Sequence, residues 1–500
     1  MTRAWVRELA GWTLAAAVAL ATAASVASSA RAELLFRDGD SLIVAMLSRS
    51  VLAGEPFDWA LSSVLFLPET ALFTALDALL PLDANGLLAL SAVVNQLALF
   101  GAIRLAAGPV REGRSPIAWS VAAILAFGVI AATETSSSRD ALELASLQLT
   151  TTYYSATVVA VVLMIGILRR SVDSRARLRL PVIASAALAA VSTLTNPLFA
   201  AWAVAPLSLV LLVLGLRTAA LRVRFLVLTG ALLGGAAIGA VARIPLAAWI
   251  ANTGAGYAQP SRWRESLSYH GDLVIERLQS PLGLASALVI AALLGLAVLR
   301  TVRAASEAER LVAVVAWVTP LIVLVGAVAL GTHAARYLQP LVLLPVLALV
   351  SSLRTARLSA PLRRTFAAIA AVLLVAVGIL GIPRLAAAAT VPDPDLDCVT
   401  AWIDGSGRIG AGQFWTVRLP KLHLGDPSQL VQVDHRLDAY AWLVNRADFD
   451  AGEVTFLLED AQTVGWDLPD DVDPLRTVEC GRYSILDFET TPLPLGPAHS

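Results

Sequence analysis

Two carboxylates separated by one glycine, in Arg37-Asp38-Gly39-Asp40, directly follow a long apolar stretch near the N-terminus. A carboxylate that a rigid element holds near its substrate can act as a general base if it is ionised. Arg37 is expected to favour the ionised form of a neighbouring carboxylate. Asp40 is our first candidate for a catalytic base and Asp38 the second; the alternative is ordinary capping in a solvated loop. Two such carboxylates also suit a cation, so a divalent metal is left open.

Basic and aromatic residues recur in later segments between apolar stretches. Arginine makes planar, bidentate contacts with phosphate, which a lipid at the membrane surface would supply. The alternative is headgroup contact by snorkelling side chains. The candidates for binding a phosphate are Arg336, Arg243, Arg262 and His333, and those for other substrate contacts are Tyr337, Tyr154, Glu69 and His270. The histidines are too scattered for a zinc site, so we predict no protein-built metal centre.

The cysteine content narrows the chemistry further. The chain has 2 cysteines, Cys398 and Cys480, which are too few for a Cys₄ metal site. Both lie in the C-terminal segment. In an oxidising, extracytoplasmic compartment they are expected to form a disulfide, with two buried free thiols as the alternative.

The composition excludes several classes of protein. Hydrophobic residues make up 57% of the chain, charged residues 15%, and the mean hydropathy is +0.72. A soluble domain carries about 25% charged residues. Most of this chain therefore does not face water, which excludes a soluble enzyme, a disordered scaffold and a nucleic-acid-binding protein with a basic surface.

Apolar stretches of about 20 residues are long enough to cross a bilayer as helices. The uncharged stretch 180–216 is too long for one helix, and Asn196-Pro197 is expected to divide it into two. The spans that we predict are 9–30, 86–103, 115–133, 144–168, two within 180–216, 225–242, 278–299, 311–332, 337–353 and 365–383. The sequence thus predicts a mostly α-helical, polytopic membrane protein with about eleven spans.

Arginines support this count because they favour the cytoplasmic side of a membrane. With the N-terminus inside, every predicted inner loop is rich in arginine. The residues are Arg104, Arg111, Arg114, Arg169, Arg170, Arg175, Arg177, Arg179, Arg217, Arg222, Arg224, Arg300, Arg303, Arg310, Arg354, Arg357, Arg363 and Arg364. Residues 31–85 must then stay outside, with surface helices at about 41–80. If 60–81 were a span instead, every later loop would invert.

Three further segments carry expectations. Ala30-Arg31-Ala32 resembles a signal-peptidase site, so cleavage after the first helix stays open. The outer loop 134–143 carries Glu134, Arg139, Asp140 and Glu143, which we expect to be solvated. We expect a transmembrane domain over 1–385 and a small extracytoplasmic α/β domain over 386–500. Pro392 to Asp395 would be a linker, and the runs 414–417 and 454–458 would be strands.

The chain resembles the GT-C superfamily of integral-membrane glycosyltransferases. The resemblance rests on the acidic motif after the first span, the long outer loop with surface helices and the closing domain. Residues 333–340, His-Ala-Ala-Arg-Tyr-Leu-Gln-Pro, are also similar to the Arg-Tyr-x-x-Pro start of a late helix in such enzymes. It implies a polyprenyl-phosphate-linked sugar as donor, transfer outside the cytoplasm, and an Asp of the first outer loop as base. The familiar Asp-Glu pair and an acceptor signature are both missing.

The function expected from the residues and the resemblance is that of a membrane glycosyltransferase in bacterial cell-envelope glycan assembly. A lipid-linked sugar would be its donor, membrane lipids would surround it, and a lipid, glycan or protein would be the acceptor. The N-terminus would be cytoplasmic and the C-terminal domain extracytoplasmic. The alternatives are a transporter or flippase of lipid-linked glycans, a non-catalytic scaffold, and a polymerase or ligase of envelope glycans. A transporter usually needs intramembrane carboxylates, which the predicted spans almost lack.

Overall fold

The architecture comes from a computed structural model, which describes residues 2–110, 116–173, 178–352, 360–468, 472–489 and 491–500. Some of the arginines in the predicted inner loops lie outside the described residues: Arg111, Arg114, Arg175, Arg177, Arg354 and Arg357. The side chains of Arg363 and Arg364 also lie outside them.

The α-helices of the described chain are α1 Thr2–Ala27, α2 Ala32–Phe36, α3 Ile43–Ala53, α4 Leu67–Leu79, α5 Ala84–Ala106, α6 Pro116–Ala132, α7 Ser155–Asp173, α8 Arg179–Thr195, α9 Ala205–Arg217, α10 Arg222–Ala242, α11 Trp263–Gln279, α12 Pro281–Val302, α13 Glu307–Ala329, α14 Pro340–Leu343, α15 Ala348–Ser351, α16 Ala360–Ala389, α17 Pro394–Ser406 and α18 Phe414–His423.

Short strands are concentrated toward the C-terminus. They are β1 Trp59–Ala60, β2 Gly410–Gln413, β3 Leu430–Val433, β4 Asp438–Tyr440, β5 Val444–Asn445, β6 Glu453–Val454, β7 Phe456–Glu459, β8 Arg476–Cys480, β9 Tyr483–Asp487, β10 Leu493–Pro494 and β11 Gly496–His499. The main sheet has the order β11-β4-β3-β2-β7-β9-β8. β2 runs parallel to β3 and β7, and β9 runs antiparallel to β7 and β8.

The chain divides into two compact units. The helical unit comprises residues 1–34, 89–244 and 256–388, and the α/β unit comprises 35–88, 245–255 and 389–500. Residues 35–85 of the first predicted outer loop therefore belong to the same unit as the C-terminal segment. Antiparallel pairing of β1 with β5 joins the two parts of the chain within that unit.

Among the described residues, 8 helices are long and apolar enough to cross a membrane: α1, α5, α7, α9 with its preceding π-helical turn, α10, α12, α13 and α16. Three shorter apolar helical segments, Pro116–Ala132, Arg179–Thr195 and Ala335–Ser351, coincide with further predicted spans. The fold is therefore mostly helical and compatible with a multi-pass membrane protein.

Two features of these helices bear on the predicted spans. α8 ends at Thr195, so the predicted break at Asn196-Pro197 is confirmed. The span predicted to begin at 144 starts with a short 3₁₀ turn over Ser146–Leu149, and its α-helix begins only at Ser155. Residues 150–152 are three consecutive threonines, which are β-branched and can hydrogen-bond to the local backbone instead of continuing a helix. Thr150 illustrates this, because its hydroxyl donates to the carbonyl of Leu147 at 2.8 Å.

Arginines near the helix ends satisfy backbone carbonyls that no helix can pair internally. Arg169 donates to the carbonyl of Val350 at 2.7 Å and also to that of Ala106, the last residue of α5. Arg300 donates to the carbonyls of Leu349 and Ser352, both at 2.9 Å. The sequence analysis assigned these arginines to inner loops because of their charge. The contacts show that they also bind the backbone at the ends of neighbouring helices.

The α/β unit departs from the sequence analysis in two places. Residues 414–417, predicted as a strand, form the first turn of α18. A short apolar run does not distinguish strand from helix, and residues 416–422 are all buried, without the alternation of buried and exposed residues that is typical of a half-buried strand. The predicted linker is instead a helix start, because Asp393 caps α17 by accepting a hydrogen bond from the backbone N–H of Leu396. The strand predicted over 454–458 is present as β6 and β7.

The core of the α/β unit lies on the main sheet. Ala411, Val431, Val433, Val454 and Leu457 are buried there with Leu437, Phe488 and Leu493. Cys398 of α17 and Cys480 of β8 form a disulfide, with their Cα atoms 5.5 Å apart. The bond connects the first helix of the C-terminal segment to an edge strand of the sheet.

Candidate functional site

In the helical unit, the turn after α13 positions the predicted phosphate ligand. Gly331 has a φ of +66°, and a Cβ there would lie 1.9 Å from the carbonyl oxygen of Gln259. Only glycine allows both the backbone conformation and this close approach. The chain then makes a 3₁₀ turn over Ala335–Leu338, and Pro340 begins α14. This turn carries Arg336 and Tyr337.

The guanidinium of Arg336 lies between a carboxylate and tyrosine rings. Its Nε donates to the hydroxyl of Tyr154 at 3.3 Å, and one terminal nitrogen is 3.5 Å from a carboxylate oxygen of Asp140. The guanidinium carbon is 5.7 Å from the ring centroid of Tyr337. The side chain is 19% exposed. A partly exposed guanidinium with neighbouring hydroxyls can bind a phosphate by charge and by directed hydrogen bonds.

Tyr154 is held in an unusual conformation beside this arginine. Its φ is +68°, which is rare for a residue with a bulky side chain. Its ring lies 5.7 Å from that of Trp202 and 6.2 Å from that of Tyr337. The indole N–H of Trp202 donates to the carbonyl of Tyr337 at 3.0 Å. Such strain persists where the surrounding packing enforces it, and it is concentrated at functional sites.

A buried ionic cluster supports the loop that carries Asp140, and the sequence analysis missed it. Arg31, Glu134 and Glu143 are each at most 5% exposed. Arg31 lies 3.9 Å from Glu134 and 3.7 Å from Glu143, and Arg277 of α11 also pairs with Glu143. Burial raises the pKa of Glu134, while Arg31 opposes that shift. The expectation of solvated acids is wrong for Glu134 and Glu143, because distant basic residues pair with them.

The other candidates of the helical unit have local partners. Arg243 donates to the carbonyl of Leu194 at 2.6 Å, at the end of α8. Arg262 is exposed and pairs with Glu265, three residues further on. The ring of His333 lies 5.5 Å from that of Tyr269. Of the predicted phosphate ligands, Arg336 is the one that lies against both tyrosine candidates, Tyr154 and Tyr337.

An apolar groove opens beside the turn that carries Arg336. Its volume is about 660 Å³. The apolar side chains that line it include Leu267, Val274, Leu324, Val328, Leu338 and Leu341, which come from α11, α13 and the 335–343 segment. His270 of α11 also lines it. A groove of this size and composition suits an apolar chain.

In the α/β unit, the acidic loop precedes α3. One carboxylate oxygen of Asp38 accepts hydrogen bonds from the backbone N–H of Ser41 at 3.1 Å and from its hydroxyl at 3.2 Å. Asp38 and Asp40 are both partly exposed. Arg37 pairs with Asp393 at 3.5 Å. Asp38 thus makes the capping contacts that are expected if the loop is not catalytic, and its side chain is also partly exposed to solvent.

Arg418 of α18 contacts the backbone of this loop. The sequence around Arg418 gave no indication of that contact. It is fully buried, and its Nε donates to the carbonyl of Gly39 at 3.3 Å. Burial lowers the pKa of Arg418 to about 10, against the opposing effect of the carboxylates of Asp40, Asp448 and Asp38. The arginine is therefore charged at pH 7, and it holds the loop backbone between the two aspartates.

Lys421, the only lysine of the chain, lies one helical turn further along α18. Its ammonium donates to the carbonyls of Pro427 and Leu430 at 2.7 and 2.8 Å, and it lies 3.0 Å from Asp448. Burial raises the pKa of Asp448, and Lys421 opposes the shift. Glu69 is buried in the first turn of α4, where a carboxylate faces the positive end of the helix.

Within the described residues, no group of three or more His, Cys, Asp or Glu side chains is arranged to hold a metal ion. Comparison of the chain with protein-family models and with the sequences of curated proteins finds no match.

Proposed function

We propose that this chain is a GT-C-like membrane glycosyltransferase that moves a sugar from a polyprenyl-phosphate donor to an extracytoplasmic acceptor. The observation that carries the proposal is the setting of Arg336, partly exposed among Tyr154, Tyr337 and Asp140 and next to an apolar groove. A lipid phosphate has two parts that fit this setting. Its phosphate group can bind the guanidinium of Arg336, and its apolar chain can lie in the groove.

In the proposed reaction, the carboxylate of Asp40 or Asp38 accepts the proton of the acceptor hydroxyl. The hydroxyl oxygen attacks the anomeric carbon of the sugar, and the bond between that carbon and the phosphate oxygen breaks. The electron pair of this bond leaves with the polyprenyl phosphate, whose extra negative charge Arg336 stabilises. Arg418 acts indirectly, because its hydrogen bond to Gly39 orients the loop that carries both carboxylates.

The topology that we propose has eleven spans, a cytoplasmic N-terminus and an extracytoplasmic C-terminal segment. It rests on the arginine-rich loops predicted to lie on one side. Reporter fusions at Arg175, which lies outside the described residues, and at Gly425 should then report opposite faces of the membrane. The same face for both fusions would contradict this topology.

The function is tested with the full-length protein in native-like membranes and radiolabelled farnesyl-phosphate sugars as probes. Because the acceptor is unidentified, release of farnesyl phosphate is measured instead of a glycosylated product. We expect release with wild-type protein and its loss in the Asp38→Asn/Asp40→Asn double variant. Glu55→Gln, which changes an exposed acid of the same segment, is the matched control and should retain release.

Two outcomes would contradict the proposal. Release that is equal in the double variant would remove the catalytic assignment of the acidic loop. Movement of the intact probe across a proteoliposome membrane, without release of farnesyl phosphate, would identify a transporter instead of a transferase.

A further inference from the structure

His270 has one ring nitrogen fixed by the protein. Its Nδ1 lies 2.8 Å from the backbone carbonyl of Ser266, which can only accept a hydrogen bond. The hydroxyl of Ser266 donates to the carbonyl of Thr332 at 2.6 Å, so its proton is not directed at the imidazole. The proton of a neutral His270 therefore resides on Nδ1, and Nε2 carries a bare lone pair.

The other ring nitrogen, Nε2, belongs to a buried imidazole beside an apolar groove. His270 is 4% exposed, and its Nε2 finds no hydrogen-bond partner among the described residues. The residue lines the groove formed by α11, α13 and the 335–343 segment, whose other walls are almost entirely aliphatic. An unpaired polar atom in such a place costs about 1–3 kcal/mol, which a bound ligand can recover.

The charge of His270 restricts the kind of ligand. Burial lowers its pKa, and the nearby His333 acts in the same direction, so the imidazole is neutral at pH 7. A neutral imidazole with its proton on Nδ1 offers Nε2 only as an acceptor. A deprotonated phosphate or carboxylate has no proton to donate, whereas a hydroxyl does.

We propose that this groove binds a hydroxyl-bearing lipid, whose O–H donates a hydrogen bond to Nε2 of His270 while its chain lies against α11 and α13. Assignment of that lipid as the glycosyl acceptor rests on the proposed function; its binding does not. The hydroxyl would then lie beside α11, in the helical unit that also contains Arg336. α11 also carries Arg277, which pairs with Glu143.

The test compares two probes that differ only in the hydrogen-bond donor: 9,10-dibromooctadecanol and its methyl ether. Bromine quenches tryptophan fluorescence at short range, and Trp263 lines the groove. In full-length protein in nanodiscs, we expect saturable quenching by both probes, with about fivefold tighter binding of the alcohol. That ratio corresponds to one hydrogen bond of about 1 kcal/mol. Trp263→Phe identifies the share of the quenching that comes from the groove.

Two variants separate the hydrogen bond from the groove itself. His270→Phe keeps an aromatic ring but removes the acceptor, so alcohol and ether should bind equally. Val274→Phe narrows the groove without adding an indole and should abolish the saturable quenching by both probes. Equal binding of the two probes to wild-type protein would overturn the proposal, even if a variant failed to fold. A preference for the alcohol that survives in His270→Phe, or no saturable quenching at all, would also overturn it.

If the alcohol is preferred but no farnesyl-phosphate sugar releases its phosphate, the lipid site stands and the transferase proposal fails. If farnesyl phosphate is released and both probes bind equally, the transferase proposal stands and the lipid site fails. The two proposals therefore fail in distinguishable ways.

Discussion

Each unit has an arginine that contacts its candidate residues, but the two arginines differ in their burial and in the groups that they bind. Arg418 of the α/β unit is fully buried, whereas the side chain of Arg336 in the helical unit is 19% exposed. Arg418 donates to backbone carbonyls of Gly39 and Leu443, while the nearby Asp38 and Asp40 keep exposed surface. Arg336 instead contacts the side chains of Tyr154 and Asp140. The comparison indicates that a buried arginine shapes a loop, and a partly exposed one can meet a substrate.

The largest effect is expected at the accessible carboxylates. Asp40→Asn keeps the size and hydrogen-bonding capacity of the side chain but cannot accept a proton. Turnover, measured as release of farnesyl phosphate, should fall by about 10²–10⁴ with an unchanged unfolding transition. Asp38→Asn shows which carboxylate is the base. Wild-type turnover in both single variants would break the assignment of this loop to catalysis.

Arg418→Leu should destabilise the α/β unit by about 2–3 kcal/mol, because it removes the donor of the hydrogen bonds that the buried carbonyls of Gly39 and Leu443 accept. Hydrogen–deuterium exchange of residues 410–433 in the full-length protein measures the local free energy of unfolding. Arg436→Leu is the matched control, since Arg436 is exposed and pairs loosely with Asp467. A stable Arg418→Leu unit would show that the buried arginine does not hold the loop.

Arg336→Lys should lower release of farnesyl phosphate about tenfold, nearly as much as Arg336→Ala, because an ammonium cannot make a planar bidentate contact with phosphate. Protein stability should hardly change, in contrast to the effect at Arg418. Arg436→Lys alters an exposed arginine that pairs with Asp467 and should leave release unchanged. Full activity of Arg336→Lys would mean that the site needs only positive charge or binds no phosphate.

The smallest effect concerns Asp487, which lies between Arg408 and Arg476 at 2.8 and 2.9 Å. Burial acts to raise its pKa, but hydrogen bonds from Arg408, the backbone of Glu489 and Arg476 outweigh burial and lower the pKa to about 2. A depressed carboxyl pKa contributes stability above the unfolded value of about 4, and that stability is lost as the pH falls toward 2.

We expect this contribution to be about 1 kcal/mol, because both arginines are partly exposed. Exchange of β9 amides, corrected for the intrinsic effect of pH, should show the loss between about pH 4 and 2 in wild-type protein. Asp487→Asn should lack that pH dependence. The same pH dependence in the variant would assign it to another carboxyl group.

The elements of the helical unit were largely predictable from local patterns. The long apolar stretches appear as helices, and the break at Asn196-Pro197 follows from the missing N–H and fixed φ of proline. Three consecutive threonines delayed the start of α7, a local effect that hydropathy alone overlooks. The candidate site was predictable in part: Arg336 lies with Tyr154 and Tyr337, while Arg243 and Arg262 contact neighbours of their own.

The sequence by itself determined where apolar segments begin and end, because helix length and hydropathy are local properties. Only the tertiary structure decided which charges are paired. Arg31 meets Glu134 and Glu143 more than a hundred residues away, and Arg418 reaches Gly39 across most of the chain. It also decided that 414–417 is helical, since a short apolar run takes its conformation from the surface on which it packs. Long-range pairing of buried charges depends on the approach of distant segments, and no local pattern encodes that approach.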